Sequence, residues 1–95
     1  MDRVEEFINR RFYMNCDWMR SNSYFFALIL KSVFSGRIVY DPVAEHFLLS
    51  VDGVYYDWIG RKDYEEEHSS NFLDWNTYLW EYPSHASKIM RDCIL

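Results

Sequence analysis

A chain of 95 residues makes one domain and has no room for two hydrophobic cores. Its composition, 49% hydrophobic and 20% aromatic with three Gly and two Pro, argues against disorder. The net charge of −5 argues against general nucleic-acid binding and against an anionic membrane surface, because both attract clusters of Lys and Arg. We therefore expect one folded domain over residues 1–95, with no nucleic-acid or membrane partner.

The same inventory bears on the cellular compartment. The segment Asp2–Glu6 does not resemble a signal peptide, and the longest uncharged run, Ser21–Leu30, is too short to span a bilayer. Cys16 and Cys93 are too few for a disulfide framework. These features predict a cytoplasmic protein.

Two helices are predicted in the first third of the chain. Apolar residues at helical spacing indicate a first helix over residues 2–13, followed by a loop or short turn from Tyr13 to Ser21. Ser21, Asn22 and Ser23 are good capping residues, and the run Tyr24–Phe34 after them is apolar on nearly every face. This pattern predicts a buried central helix that Gly36 terminates.

The strongest local signal is a β-hairpin around Asp52-Gly53. Two apolar and aromatic runs, Glu45–Val51 and Val54–Ile59, flank this dipeptide, which favours a two-residue turn. In that register Asp57 faces Leu48, so His46 and Asp57 become diagonal neighbours on one face, roughly 7–8 Å apart. A strand over residues 37–40, ended by Asp41-Pro42, precedes the hairpin. Because both hairpin faces are apolar, we expect the central helix on the His46 face and the terminal helices on the other.

The remaining third is less regular. The polar segment Arg61–Asn71 indicates a loop, and Phe72–Trp80 fits either a short helix or an edge strand. Pro83 suits the start of a final amphipathic helix, on which Cys93 is a small core residue. The predicted fold class is therefore α+β, with a central buried helix packed on a small antiparallel sheet and flanking terminal helices.

A hydroxyl at a helix N-terminus beside a His/Asp pair is the arrangement that nucleophilic acyl transfer uses. In this interpretation Ser23 attacks, His46 accepts its proton and Asp57 orients the imidazole. Backbone N–H groups at the helix start, supported by Asn22, would hold the developing oxyanion. The candidates for lining a substrate groove are aromatic: Trp18, Tyr24 and Trp58.

Each of these residues also has a plain structural explanation. Ser23 is a good helix cap, although Phe26 stands where a capping box has Glu or Gln. His46 fits an ordinary, partly buried histidine. Asp57 lies within an aromatic strand and needs a partner, for which His46, an Arg or a helix N-terminus would serve.

Other constellations are weaker. Cys16 is an alternative nucleophile, but it lies upstream of the central helix. Cys16, His46, Asp57 and His68 contain no pair at zinc-like spacing, so we expect neither a metal nor a cofactor.

Several segments together resemble a group of small phage proteins with a compact papain-like fold, related to NlpC/P60-like and transglutaminase-like folds. They are Arg11–Phe12, Asn15–Trp18, Asn22–Lys31, Tyr40–Asp41, Glu45–Phe47, Tyr55–Gly60 and Ile89–Leu95. The resemblance covers almost the whole chain, although no single motif is diagnostic. It implies a Cys nucleophile at the place of Ser23, with the family's His and Asp at His46 and Asp57. Ser23 departs from that pattern, either as a natural variant or through a Cys→Ser change.

Two functions are therefore expected from the sequence. The first is a papain-like hydrolase-type protein acting on an amide, isopeptide or thioester bond of a protein or peptide-like substrate, inactive or weakly active because of Ser23. The second is a non-catalytic phage protein that binds and inhibits a host or anti-phage defence factor in the host cytoplasm. The aromatic surplus and the acidic charge favour the second.

Overall fold

The computed structural model describes residues 2–12 and 16–94, in which five strands and six helices are found. The strands are β1 (Arg37–Asp41), β2 (His46–Val51), β3 (Val54–Asp57), β4 (Gly60–Lys62) and β5 (Leu73–Asp74). The helices are α1 (Arg3–Phe12), α2 (Cys16–Ser21), α3 (Ser23–Phe34), α4 (Glu66–Ser69), α5 (Trp75–Glu81) and α6 (Pro83–Asp92). All neighbouring strands are antiparallel, in the order β4-β3-β2-β1-β5. The predicted α+β class is confirmed.

The central hairpin has the predicted register. Val51 pairs with Val54, and Leu49 pairs with Tyr56. Asp52 and Gly53 both have positive φ, 51° and 81°, which two-residue hairpin turns of the primed type require.

The larger helices all contribute to a single core on one face of the sheet. Side chains of Phe47 and Leu49 from β2 pack there with Tyr56 from β3. The helical members of this core come from α1, α2, α3, α5 and α6: Val4, Ile8, Met19, Phe26, Ala27, Leu30, Trp75 and Ala86. The expectation that α3 would cover the His46 face and the terminal helices the other face is wrong. Strand alternation places Phe47 and His46 on opposite faces, and α3 packs against Phe47.

The second face is covered by residues 63–72. The rings of Tyr64 and Phe72 lie 5.7 and 5.1 Å from the ring of Tyr55 on β3, and His68 bonds Asp41 at the end of β1. This segment, which includes α4 and which we call the strap of residues 63–72, therefore takes the place of the helical layer that was expected on this face. Because this segment is mostly polar, its sequence indicates a loop and does not indicate that Tyr64 and Phe72 pack against Tyr55.

Helix α3 packs on the sheet as predicted, but it is not buried all round. Its buried residues are Ser23, Phe26, Ala27 and Leu30. Its opposite side, which we call the outer stripe of α3, is exposed and consists of Phe25, Leu28, Ile29 and Val33. The prediction of a fully buried helix is wrong because apolar residues on every side do not by themselves show what covers them.

The remaining elements refine the sequence prediction. Helix α2 replaces the later part of the predicted loop; residues 13–15 lie outside the described residues. Both alternatives for Phe72–Trp80 are realised in succession, as the short edge strand β5 and then α5. Helix α6 begins at Pro83 as predicted. Within the described ranges, no helix combines the length and apolar character needed to cross a membrane.

Alanine substitutions at Gly53 and Gly36 should destabilise the protein for different reasons, one through the backbone conformation and the other also through packing. In Gly53→Ala the new Cβ meets nothing within 4 Å, so we expect only the left-handed backbone penalty of about 1–2 kcal/mol. In Gly36→Ala, with φ also positive, the Cβ would clash with the Ser50 carbonyl oxygen, so the loss should be clearly larger. Urea unfolding of both variants measures the difference; equal losses would contradict the close approach at Gly36.

Candidate functional site

The Ser23 side chain is hydrogen-bonded to the sheet. Ser23 is the first residue of α3, its residue exposure is 1%, and its Oγ accepts a hydrogen bond from the backbone N–H of Phe47 at 3.1 Å. The N-cap position belongs to Asn22, whose side chain makes no capping bond and instead donates from Nδ2 to the Trp18 carbonyl oxygen. Ser23 therefore joins α3 to β2, so the alternative of a simple helix cap is wrong.

His46 is half-buried at the start of β2. Burial lowers the pKa of His46 from its ordinary value of 6.5, and the charges of Asp41 and Asp57 oppose that shift. Its ring packs edge-on against Trp58 at 4.8 Å between centroids, and its Nε2 is buried with no hydrogen-bond partner among the described residues. The ring is thus kept neutral near pH 7, with one nitrogen unused.

Asp57 is satisfied by its own loop. Its Oδ1 accepts hydrogen bonds from the backbone N–H groups of Ile59 at 2.8 Å and Gly60 at 3.3 Å. Its Oδ2 lies 3.9 Å from the Lys62 ammonium. The expected hydrogen bond to His46 is not formed; the backbone after the strand supplies the partner that the buried carboxylate needs.

The three predicted catalytic residues, Ser23, His46 and Asp57, therefore do not form a hydrogen-bonded triad. Among the described residues, no hydrogen bond connects Ser23 to His46 or His46 to Asp57. The Ser23 hydroxyl approaches β2 from the core face, whereas the strand alternation assigns His46 to the face shared with Asp41, its cross-strand partner. Their assignment as catalytic groups stays a prediction.

A second buried carboxylate lies at Asp41, a position that the sequence predicts only as the end of a strand. Its Oδ1 accepts from the backbone N–H groups of Val43 and Ala44, and its Oδ2 lies 3.0 Å from Nε2 of His68. Because the Asp41 side chain is 1% exposed and that of His68 is 37% exposed, a buried acid orients a partly accessible imidazole. The signal was present in Asp41-Pro42, since Asp at a strand end before Pro is typical of a side-chain-closed turn.

The three predicted groove aromatics occupy different places. Trp18 on α2 is 44% exposed and stacks on Phe12. Tyr24 packs on Phe47 and lines a shallow depression against α6, whereas Trp58 contacts His46.

Cys93 lies beside Ser23. Its thiol is buried and donates a long hydrogen bond to the Glu45 carbonyl oxygen at 3.7 Å. Burial raises the pKa of Cys93, and the Ser23 hydroxyl lowers it in part, so the thiol stays protonated near pH 7. Its predicted role as a small core residue is confirmed by its place in the core. The Cys16 side chain lies outside the described residues.

Among the described residues, no group of three or more His, Cys, Asp or Glu is arranged to hold a metal ion. No family model matches the sequence, and no curated protein or solved structure is significantly similar to it.

Removing the Ser23 hydroxyl should destabilise the protein. Ser23→Ala leaves the buried N–H of Phe47 without its acceptor, at a cost of about 1–3 kcal/mol in the free energy of unfolding. Ser32→Ala on the same helix is the matched control, because its exposed hydroxyl bonds only the Ile29 carbonyl. Chemical denaturation of both variants checks this, and equal stability of the two would contradict the structural role of Ser23.

His46 should make stability depend on pH. Its folded-state pKa is depressed, so the stability it contributes is present above about pH 6.5 and is lost as pH falls through the folded-state pKa. His46→Gln cannot take up the proton, and we expect it to lose less stability than the parent protein between pH 7.5 and 5. Denaturation midpoints at several pH values decide the matter; parallel curves for His46→Gln and the parent would refute it.

Proposed function

We propose that this protein is a non-catalytic binding protein that acts by occupying a surface of another protein through its α1–α3 side. In keeping with the resemblance to small phage proteins, its target is a host or anti-phage defence factor. The observation that carries this proposal is the outer stripe of α3, four large apolar side chains of which each is 37–51% exposed.

The condition of the candidate catalytic groups supports binding over chemistry. A nucleophile needs its hydroxyl next to a base, yet Ser23 accepts a backbone hydrogen bond inside the core. An orienting acid needs to accept from the imidazole, yet Asp57 accepts from the backbone of its own loop. Each group is already used in holding the fold together.

The exposed apolar surface supports the same conclusion. Trp18 on α2 is a further exposed aromatic side chain, and its ring stacks on Phe12. Single exposed apolar residues are common, but a run of them along one helix side is typical of an interaction site. Trp and Phe are also among the residues enriched at the centres of protein interfaces.

Capture of partners from a bacterial host lysate, quantified by mass spectrometry, tests this proposal. Val33→Glu places a charge in the outer stripe and should remove the captured partner, whereas Val43→Glu, at a 70% exposed apolar position in the β1–β2 loop, should retain it. The double variant Ser23→Ala/His46→Gln should also retain it. Capture that needs Ser23 and His46 but tolerates Val33→Glu would overturn the proposal.

A papain-like hydrolase is the second candidate, and one observation favours it. The Nε2 atom of His46 is buried with no hydrogen-bond partner in the described part of the chain, and its ring stays neutral near pH 7, which is the state a general base requires. Ser23 bonds the residue directly after His46, so a small rearrangement of the β2 start would bring the two side chains together.

Restoring a thiol at position 23 tests the hydrolase candidate. Because Cys93 lies beside Ser23, the experiment uses Ser23→Cys in a Cys16→Ser/Cys93→Ser background, treated with a thiol-reactive acyl probe. A hydrolase predicts rapid labelling that His46→Gln slows about 100-fold or more, the lower range of general-base effects. Slow labelling that is unaffected by His46→Gln would exclude this candidate.

A further inference from the structure

A groove with an apolar floor and a basic rim lies between α1 and α3. Its volume is about 550 Å³. The side chains that line it are Phe7, Arg10, Arg11 and Phe12 from α1 and Ile29, Ser32 and Val33 from α3. Ile29 and Val33 also belong to the outer stripe of α3, so the groove and the stripe form one continuous surface.

The charge of this surface is opposite to that of the protein. The charged residues that line the groove are two arginines, Arg10 and Arg11, with no acid among the described lining residues. The whole chain, in contrast, has ten basic and fifteen acidic residues. Arg10 lies over the Phe7 ring at 5.9 Å, and none of the ion pairs among the described residues includes Arg10 or Arg11. Two exposed guanidinium groups are therefore available to carboxylates beside an apolar floor.

We propose that the groove between α1 and α3 binds an acidic amphipathic helix of a partner protein. This inference rests on the proposed binding function and names the chemistry of its partner. From Phe25 to Val33 the outer stripe runs about 12 Å along α3, enough for two turns of a packed helix. The apolar face of the partner helix would lie on Ile29 and Val33, and its flanking Asp or Glu residues would reach Arg10 and Arg11.

The same charges argue against two other occupants. In a two-fold dimer through this groove, Arg10 and Arg11 of both copies would enter one interface, where like charges repel. An anionic membrane would attract two arginines but repel the acidic remainder of the chain. A helix with carboxylates along both sides of an apolar stripe satisfies the floor and the rim together.

Two synthetic 16-residue peptides provide the probe. Both place Leu at positions i, i+4, i+7 and i+11 on an Ala/Gln background; one has Glu at the flanking positions and the other has Lys. Fluorescence anisotropy with the full-length protein at about 50 mM salt, where surface charges are weakly screened, gives the two dissociation constants.

We expect the Glu peptide to bind at least about fivefold more tightly than the Lys peptide, as two exposed ion pairs allow. Arg10→Glu/Arg11→Glu should reverse this preference, and Val33→Glu should weaken binding of the Glu peptide. The control Lys88→Glu/Arg91→Glu changes the net charge equally on the exposed side of α6 and should keep the parental preference. Circular dichroism confirms that each variant is folded.

Four outcomes would overturn the inference. They are equal affinity for the two peptides, a preference unchanged by Arg10→Glu/Arg11→Glu, a dimer that Val33→Glu dissociates, and flotation with phosphatidylserine vesicles that Arg10→Glu/Arg11→Glu abolishes. If neither peptide binds while capture from lysate still depends on Val33, the acidic-helix inference fails and the proposed binding function stands. If the Glu peptide binds but lysate capture ignores Val33→Glu, the groove chemistry stands and the proposed function fails.

Discussion

The register of the central hairpin is the constraint on which the rest of this structure depends. With Asp52 and Gly53 in left-handed conformations, Val51 must face Val54, and every side chain of β2 is assigned to a face. One set, which includes Phe47 and Leu49, meets the large helices; the other set meets the strap of residues 63–72. A slip of one residue would bring His46 into the helical core and move Phe47 to the face covered by residues 63–72, so the hydrophobic effect and the turn geometry favour the same pairing.

The two buried carboxylates then show how the sheet is closed at its ends. Asp41 ends β1 and Asp57 ends β3, and each accepts two backbone N–H groups from the residues that follow it. Each is further compensated by one cation or imidazole, Lys62 for Asp57 and His68 for Asp41. A buried carboxylate without such partners is costly in free energy, and here the partners belong to the turns that the aspartates stabilise. Their burial alone therefore does not indicate catalysis.

Local patterns predicted local structure correctly. The hairpin, its register, strand β1, helix α3 and the Pro83 start of α6 depend on turn chemistry, capping and periodicity, which are properties of neighbouring residues. The side of the sheet on which α3 packs was not predictable in this way. Both hairpin faces carry large apolar side chains, so Leu48 on one face and Phe47 on the other are equally plausible contacts for the helix. The candidate site failed at this step: its geometry required α3 over His46, and the larger aromatic residues drew α3 to the other face. The partner of Asp57 was missed because backbone donors leave no mark in composition, although Asp57 three residues before Gly60 was a usable turn signal.

The placement of α3 also explains why one of its sides is left uncovered. The helix meets the core through its buried side, and polar residues on its outer side would have favoured solubility in a protein with a fifth of its residues aromatic. The outer stripe instead continues into a groove lined by Arg10 and Arg11, which belong to none of the ion pairs among the described residues. The chain as a whole has more acidic than basic residues. The stability of the fold requires neither the exposed stripe nor the unpaired arginines. Exposed apolar side chains bury little surface on folding, and unpaired surface charges contribute little to the free energy of unfolding. Both features are accounted for by a surface that is completed by a second molecule, apolar along its centre and acidic along its edges.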